Sequence, residues 1–317
     1  MNKKWQGGRR LGWPLKTGMM VLAAATAALA AQESKAPEIP PRELVRIAVA
    51  NESAANEHGK ALHMFRSHKV TPKGSQTRLY VETTDALAAM LIAANDQPLT
   101  EQQKQAESGH LEWLMNTPDQ RRKKHAREKE DEARTLQILR ALPDAFLYEY
   151  AGTESSQGEA GSPLVKLNFK PDPGYSPPSR VEQVLAGMQG YLLIDTKAGR
   201  LAKADGTLVR DVTFGWGIVG RLDKGGHFLV QQADLGLGDG AWGITEISLN
   251  ITGKLLLFKG LNMVSDETLS DFRKMPENLT FEQGVEMLKA EQEKLAHNNH
   301  PDQPAEAQKT EAQKAPH

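Results

Sequence analysis

The chain has no cysteine. Disulfides and thiolate metal ligands are therefore excluded, and so is the lipid anchor that bacterial lipoproteins carry on a cysteine just after the signal. No apolar run reaches the roughly 20 residues that a membrane-spanning helix needs. The metalloprotease pattern H-E-x-x-H and the esterase pattern G-x-S-x-G are both absent. Basic excess is missing too, with 39 Lys and Arg against 40 Asp and Glu. Aromatic residues are only 6% of the chain, so each one in a strand is worth placing.

What is present begins at the amino end. Met1–Gly18 holds Lys3, Lys4, Arg9, Arg10 and Lys16 and no acid. The short apolar run Met19–Leu29 follows, and Ala28-Leu29-Ala30 fits the small-x-small site of signal peptidase. Residues 1–30 are expected to be a secretory signal peptide, cut near Ala30 and followed by a leader over 31–41. Removing those five bases leaves 34 bases against 40 acids, a net charge near −6. A mildly acidic exported chain is a poor partner for nucleic acid. The expected location is periplasmic or secreted, with no integral membrane segment after cleavage. The carboxyl end, HNNHPDQPAEAQKTEAQKAPH, has no large apolar residue, so 297–317 reads as a disordered tail.

Between these ends the pattern predicts one domain over 42–296. Ile39–Asn51 has helical spacing. His58–Thr71 and Gln76–Thr84 read as a hairpin around Pro72-Lys73-Gly74. Asp85 is then expected to cap a helix over 86–95, ALAAMLIAAN, and the T-x-x-Q boxes at Thr100 and Thr117 to start helices over 101–116 and 118–141. A helical insertion over 85–142 results. The charged run Asp119–Glu132 is expected to be a solvated helix start laced with ion pairs. Beyond Pro143, short strands alternate with turn glycines, an antiparallel meander. Ser179 and Thr280 open two further helical segments, the second carrying FEQGVEMLKAEQEKLA.

Chemistry is scarce. Gly215, Gly217 and Gly220 spell G-x-G-x-x-G, but a second glycine pair and a strand follow where a dinucleotide fold needs a helix. His58, His63 and His68 lie five apart, which suits neither a strand face nor a helix face for a shared metal. No cofactor, metal or catalytic residue is assigned. The consecutive strands instead carry apolar residues: Phe228, Leu229, Val230, Trp242, Ile244, Ile247 and Leu255–Phe258. In Leu255–Phe258 both faces are apolar, so both are expected to be covered, by protein or by a ligand.

The run G-Y-L-L-I-D-T…G-R-L…G-T-L…W-G-I-T…G-K-L-L-L-F, followed by LSDFRKMP, resembles the outer-membrane lipoprotein carrier (LolA-like) superfamily over Met188–Met275. The resemblance implies an α+β fold, a curved antiparallel β-sheet or incomplete barrel wrapping helices, with an apolar cavity for acyl chains. Trp216, Phe228, Trp242 and Phe258 are the candidate cavity lining. The charged helical insertion and the length of the chain depart from a minimal carrier. Three classes stay open: a lipid or lipoprotein acyl-chain binder, an envelope protein that meets a partner through its insertion, and a hydrolase with a spatially assembled site.

Overall fold

Runs of period two build most of this chain. The computed structural model describes residues 39–57, 61–155, 163–215, 219–238, 240–256 and 259–298. The expected signal peptide, most of the leader and nearly all of the tail lie outside the described residues. The strands are β1 (His63–Thr71), β2 (Gly74–Val81), β3 (Ala88–Ala94), β4 (Gln97–Pro98), β5 (Phe146–Ser155), β6 (Pro163–Pro171), β7 (Met188–Asp195), β8 (Arg200–Leu208), β9 (Val212–Phe214), β10 (Gly220–Leu222), β11 (His227–Asp234), β12 (Trp242–Leu255) and β13 (Lys259–Lys274). The helices are α1 (Pro41–Glu57), α2 (Glu101–Asn116), α3 (Pro118–Ala145) and α4 (Phe281–Asn298), with a 3-10 turn at Glu182–Gly187.

The strands form an open, curved antiparallel sheet in the order β4-β3-β2-β1-β13-β12-β11-β8-β7-β6-β5, with β9 and β10 as a side hairpin on β12. It does not close into a barrel, because β4 and β5 remain as two edges. The class is α+β. Helices α2 and α3 leave the sheet between β4 and β5.

Directly opposed residues of an antiparallel ladder share a face, so the registers assign two faces along the whole sheet. The first face carries Leu192 of β7, Ala204 of β8, Val230 of β11, Ile247 of β12, Glu267 of β13 and Lys69 of β1. At one end this face meets Leu44, Val45, Ala48 and Val49 of α1 and the last turns of α3, making a core with β5–β8. At the other end it is the second face that is covered. There Met64, Leu79, Val81 and Met90 pack against Leu111 and Leu114 of α2 and Phe281, Val285 and Leu288 of α4. The two cores therefore sit on opposite faces. Helix α3 reaches both: Arg121 near its start donates to Glu282 of α4 at 2.6 Å, while Leu139 and Leu142 near its end join the first core.

Four expectations are corrected. ALAAMLIAAN is strand β3, not a helix; pairing with β2 and burial of Ala88 and Met90 outweigh the weak helical preference of its alanines. Asp85 instead accepts from the backbone N–H of Phe281 at 3.4 Å, at the start of α4. The helical excursion accordingly begins at Glu101 and runs through Pro143 to Ala145. Thr117 makes no side-chain cap; its N–H is tied to Leu114 O as α2 ends. Leu255 and Leu256 are not covered but 39% and 67% exposed, because the β12–β13 hairpin turns there. Leu257 and Phe258 lie outside the described residues. The boxes at Thr100 and Thr280 do form, each threonine oxygen accepting from the N–H three residues on. The charged start of α3 is laced with intrahelical pairs such as Arg122–Asp119, Lys124–Glu128 and Lys129–Glu132.

Candidate functional site

Between the two cores, no helix packs extensively on β11, β12 or the middle of β13 among the described residues. Their faces nevertheless differ sharply. On β12, Ile247, Leu249 and Ile251 lie on the first face, while Glu246, Ser248, Asn250 and Thr252 lie on the second. Across the ladder, Ile247 faces Val230, Leu249 faces Phe228 and Ile251 faces Met263. Opposed Cβ atoms in such pairs stand about 5 Å apart, so these six side chains form one contiguous apolar patch. Met263 is 45% exposed and the others are half-buried. Single exposed apolar residues are ordinary; a contiguous uncovered patch marks an interaction surface.

The patch has a polar border at β13, β1 and β2. Opposite Ile247 sits Glu267, whose Oε1 accepts from the buried Ser67 hydroxyl at 2.6 Å and whose Oε2 accepts from Lys69 Nζ at 3.1 Å. Next to them Phe65 stacks on Tyr80 at 5.1 Å and on Phe272 at 5.4 Å. Burial raises the Tyr80 hydroxyl above its ordinary value, and Glu267 adds to this, while Arg78 opposes it.

A second candidate is a cleft of about 390 Å³ between α3 and the loop before the 3-10 turn, lined in part by Arg140, Asp144, Tyr175 and Glu182. Glu182 is buried; its oxygens accept from Gln137 Nε2 at 2.7 Å and from the Tyr175 hydroxyl at 2.7 Å. Burial, aided by Glu182, pushes the Tyr175 hydroxyl well above its ordinary range. These groups satisfy one another and latch the loop to α3.

No group of three metal-ligating side chains occurs among the described residues. His63, His68 and His227 each meet a different carboxylate, those of Glu82, Asp96 and Asp205. His58 lies outside the described residues. Gly215 adopts φ 55°, and Gly220 opens β10, which pairs back onto β9. Gly215 and Gly220 thus serve a hairpin, and Gly217 lies outside the described residues. No helix among the described residues is long and apolar enough to cross a membrane.

Of the four candidate lining residues, Phe228 lies on the first face, at the border of the first core and the patch. Trp242 packs with Leu164, Leu193 and Ala202 in a separate small cluster, under the Arg200 guanidinium at 5.5 Å. Trp216 and Phe258 lie outside the described residues. The sequence reading includes Val230 and Ile247 but lacks Met263 and also Leu249 and Ile251, whose signal was the strict alternation of ISLNITG. Ser67 and Lys69 carry no local signal, since β13 brings Glu267 to them from far along the chain, and nothing in the β1–β2 hairpin alone marks Arg78 or Tyr80 as bordering an apolar face.

No family model and no curated protein matches this chain. Two solved structures are similar to it. One is a DUF1329 family protein from Desulfovibrio piger ATCC 29098, with 9% identity and a TM-score of 0.25 over 74% of this chain and 94% of that one. The other is an outer membrane lipoprotein-sorting protein domain from Vibrio parahaemolyticus, with 10% identity and a TM-score of 0.28 over 77% of this chain and 97% of that one.

Proposed function

We propose that this is an exported, non-catalytic binding protein that holds a lipid, a lipoprotein acyl chain or a similar apolar ligand on the first face of β11–β13. The observation that carries the reading is the asymmetry of β11 and β12: Phe228, Val230, Ile247, Leu249 and Ile251 share one face that no helix packs on extensively among the described residues, and mainly polar residues share the other. Each methylene moved from water onto such a face gains about 0.8 kcal/mol, and no bond chemistry is needed. Phe228 is the aromatic of the lining. Export rests on the basic, acid-free start, the short apolar run and the small-x-small site at Ala28-Leu29-Ala30.

Native mass spectrometry of protein exported into a periplasm and purified without detergent tests this directly. Lipid-mass adducts released by organic extraction are expected. Leu249→Asp, on the apolar face, should abolish them; Asn250→Asp, its neighbour on the polar face, should retain them. A bare mass that stays bare after incubation with fatty acids and phospholipids would sink the proposal. A second reading, a protein-interaction role for the excursion, is favoured by Trp113 of α2, which is 49% exposed beside His110. It predicts a partner lost on Trp113→Ala.

A further inference from the structure

Resting on that reading, we infer that the bound amphiphile carries an anionic headgroup, a carboxylate or phosphate, held by Arg78 and Tyr80 at the β1–β2 border of the apolar face. The registers place the parts in order. Arg78 opposes Ser67, and Ser67 opposes Leu269 on the same face. Leu269 is the diagonal neighbour of Ile247, across β13 and β12. From β2 to β12 is three strand spacings, about 14 Å. A tail lying over Leu269 and the β11–β12 patch would bring its head to Arg78.

The chemistry of the border suits an anion. Glu267 is already satisfied: Ser67 occupies one oxygen and Lys69 the other. Arg78 is not. Among the described residues its closest acceptors are Gln76 Oε1 at 3.4 Å and Glu107 Oε1 at 3.7 Å. Charge-assisted contacts normally close to about 2.8 Å, and a guanidinium has five N–H donors. Arg78 therefore keeps donors to spare on a face where the nearest carboxylates are engaged, Glu107 by the Leu91 N–H at 2.7 Å. The Tyr80 hydroxyl has no protein hydrogen-bond partner among the described residues and stands two positions along β2 from Arg78. A phenol is protonated at neutral pH at its ordinary value, and burial raises it further, so the hydroxyl is a donor and not a competing anion. Placing charges beside an apolar face costs desolvation that a plain core would avoid, and a headgroup site gives them a use.

The test compares ligands that share one tail. Dodecanoate, dodecyl phosphate, dodecanol and inorganic phosphate are titrated against the purified protein by calorimetry. Both anionic amphiphiles should bind about tenfold tighter than dodecanol. Arg78→Gln should erase that advantage, bringing the three amphiphiles to similar affinity, and Tyr80→Phe should reduce it with the aromatic stack intact. Equal affinity of all three amphiphiles would overturn the headgroup site and leave the apolar site standing. Binding of inorganic phosphate alone, lost in Arg78→Gln, would show a free-anion site and overturn the amphiphile. Binding of none would overturn the headgroup site and the proposed function together.

Discussion

Glu52 clamps α1 to the sheet, and its removal should be felt throughout the first core. Its Oε1 accepts from Arg200 Nε at 2.8 Å, from the Leu201 N–H at 3.0 Å and from Gln232 Nε2 at 2.6 Å; its Oε2 accepts from Arg200 Nη2 at 2.7 Å. The carboxylate side chain is 10% exposed and the guanidinium side chain 15%. Glu52→Ala leaves a buried cation unpaired and strips an acceptor from a backbone N–H and an amide. Breaking a buried pair costs about 3–5 kcal/mol; the orphaned neutral donors overlap with that figure and are not added to it. The expected loss is about 4 kcal/mol, a large share of the 5–15 kcal/mol typical of a folded domain. With a urea slope of about 3 kcal/mol per M, the midpoint falls by more than about 1 M. Far-UV circular dichroism in urea measures it. The double variant Glu52→Leu/Arg200→Met, which removes both charges, should recover at least half the loss. A Glu52→Ala midpoint within about 0.3 M of the parent would refute the clamp, as would strictly additive single and double variants.

Other expectations follow from equally local geometry. Gly190→Ala would set a Cβ 1.9 Å from Asp205 O, backbone against backbone in the β7–β8 ladder; about 3 kcal/mol should be lost, and an unchanged thermal midpoint would contradict the tight approach. Thr100→Ala removes the reciprocal box with Gln103 that starts α2; about 1 kcal/mol should be lost in urea unfolding, and no loss would mean the cap is idle. Glu291 is held below the ordinary glutamate value chiefly by its hydrogen bond from Arg273. A folded value below the unfolded one contributes stability above the ordinary range, near 4.5, and that stability is lost as pH falls through the lower folded value. Arg273→Gln should therefore flatten the acid limb of the stability curve by under about 1 kcal/mol, since the arginine is half-exposed. An unchanged acid limb would show the pair contributes nothing.

How much of this was legible depends on the range of the interaction. Caps at Thr100 and Thr280 and the hairpin at Pro72–Gly74 need only neighbours, and they read correctly from local chemistry. So did the glycines at Gly215 and Gly220, because the strand after them leaves no room for a helix. ALAAMLIAAN misled because alanine favours helices in isolation, whereas here β2 supplies a ladder and α4 a cover for Ala88 and Met90. The patch was half-legible. ISLNITG alternates visibly, yet nothing in it says that no helix will cover Ile247 and Leu249. The polar border was not legible, for Ser67 and Glu267 are 200 positions apart.

The crossed placement of the terminal helices also dictates an order of assembly. Helix α1 is synthesised first but belongs with β5–β8, and α4 is synthesised last but belongs with β1–β3. Strand β1 has its hairpin partner β2 at once and must wait for β13 to gain its other neighbour. A chain halted after β8 would own a nearly complete first core, while Met64, Leu79 and Val81 would still lack Phe281, Val285 and Leu288. The second core can therefore close only when the last helix has emerged, and that closure carries the loop-closure cost of contacts about 200 residues apart in sequence.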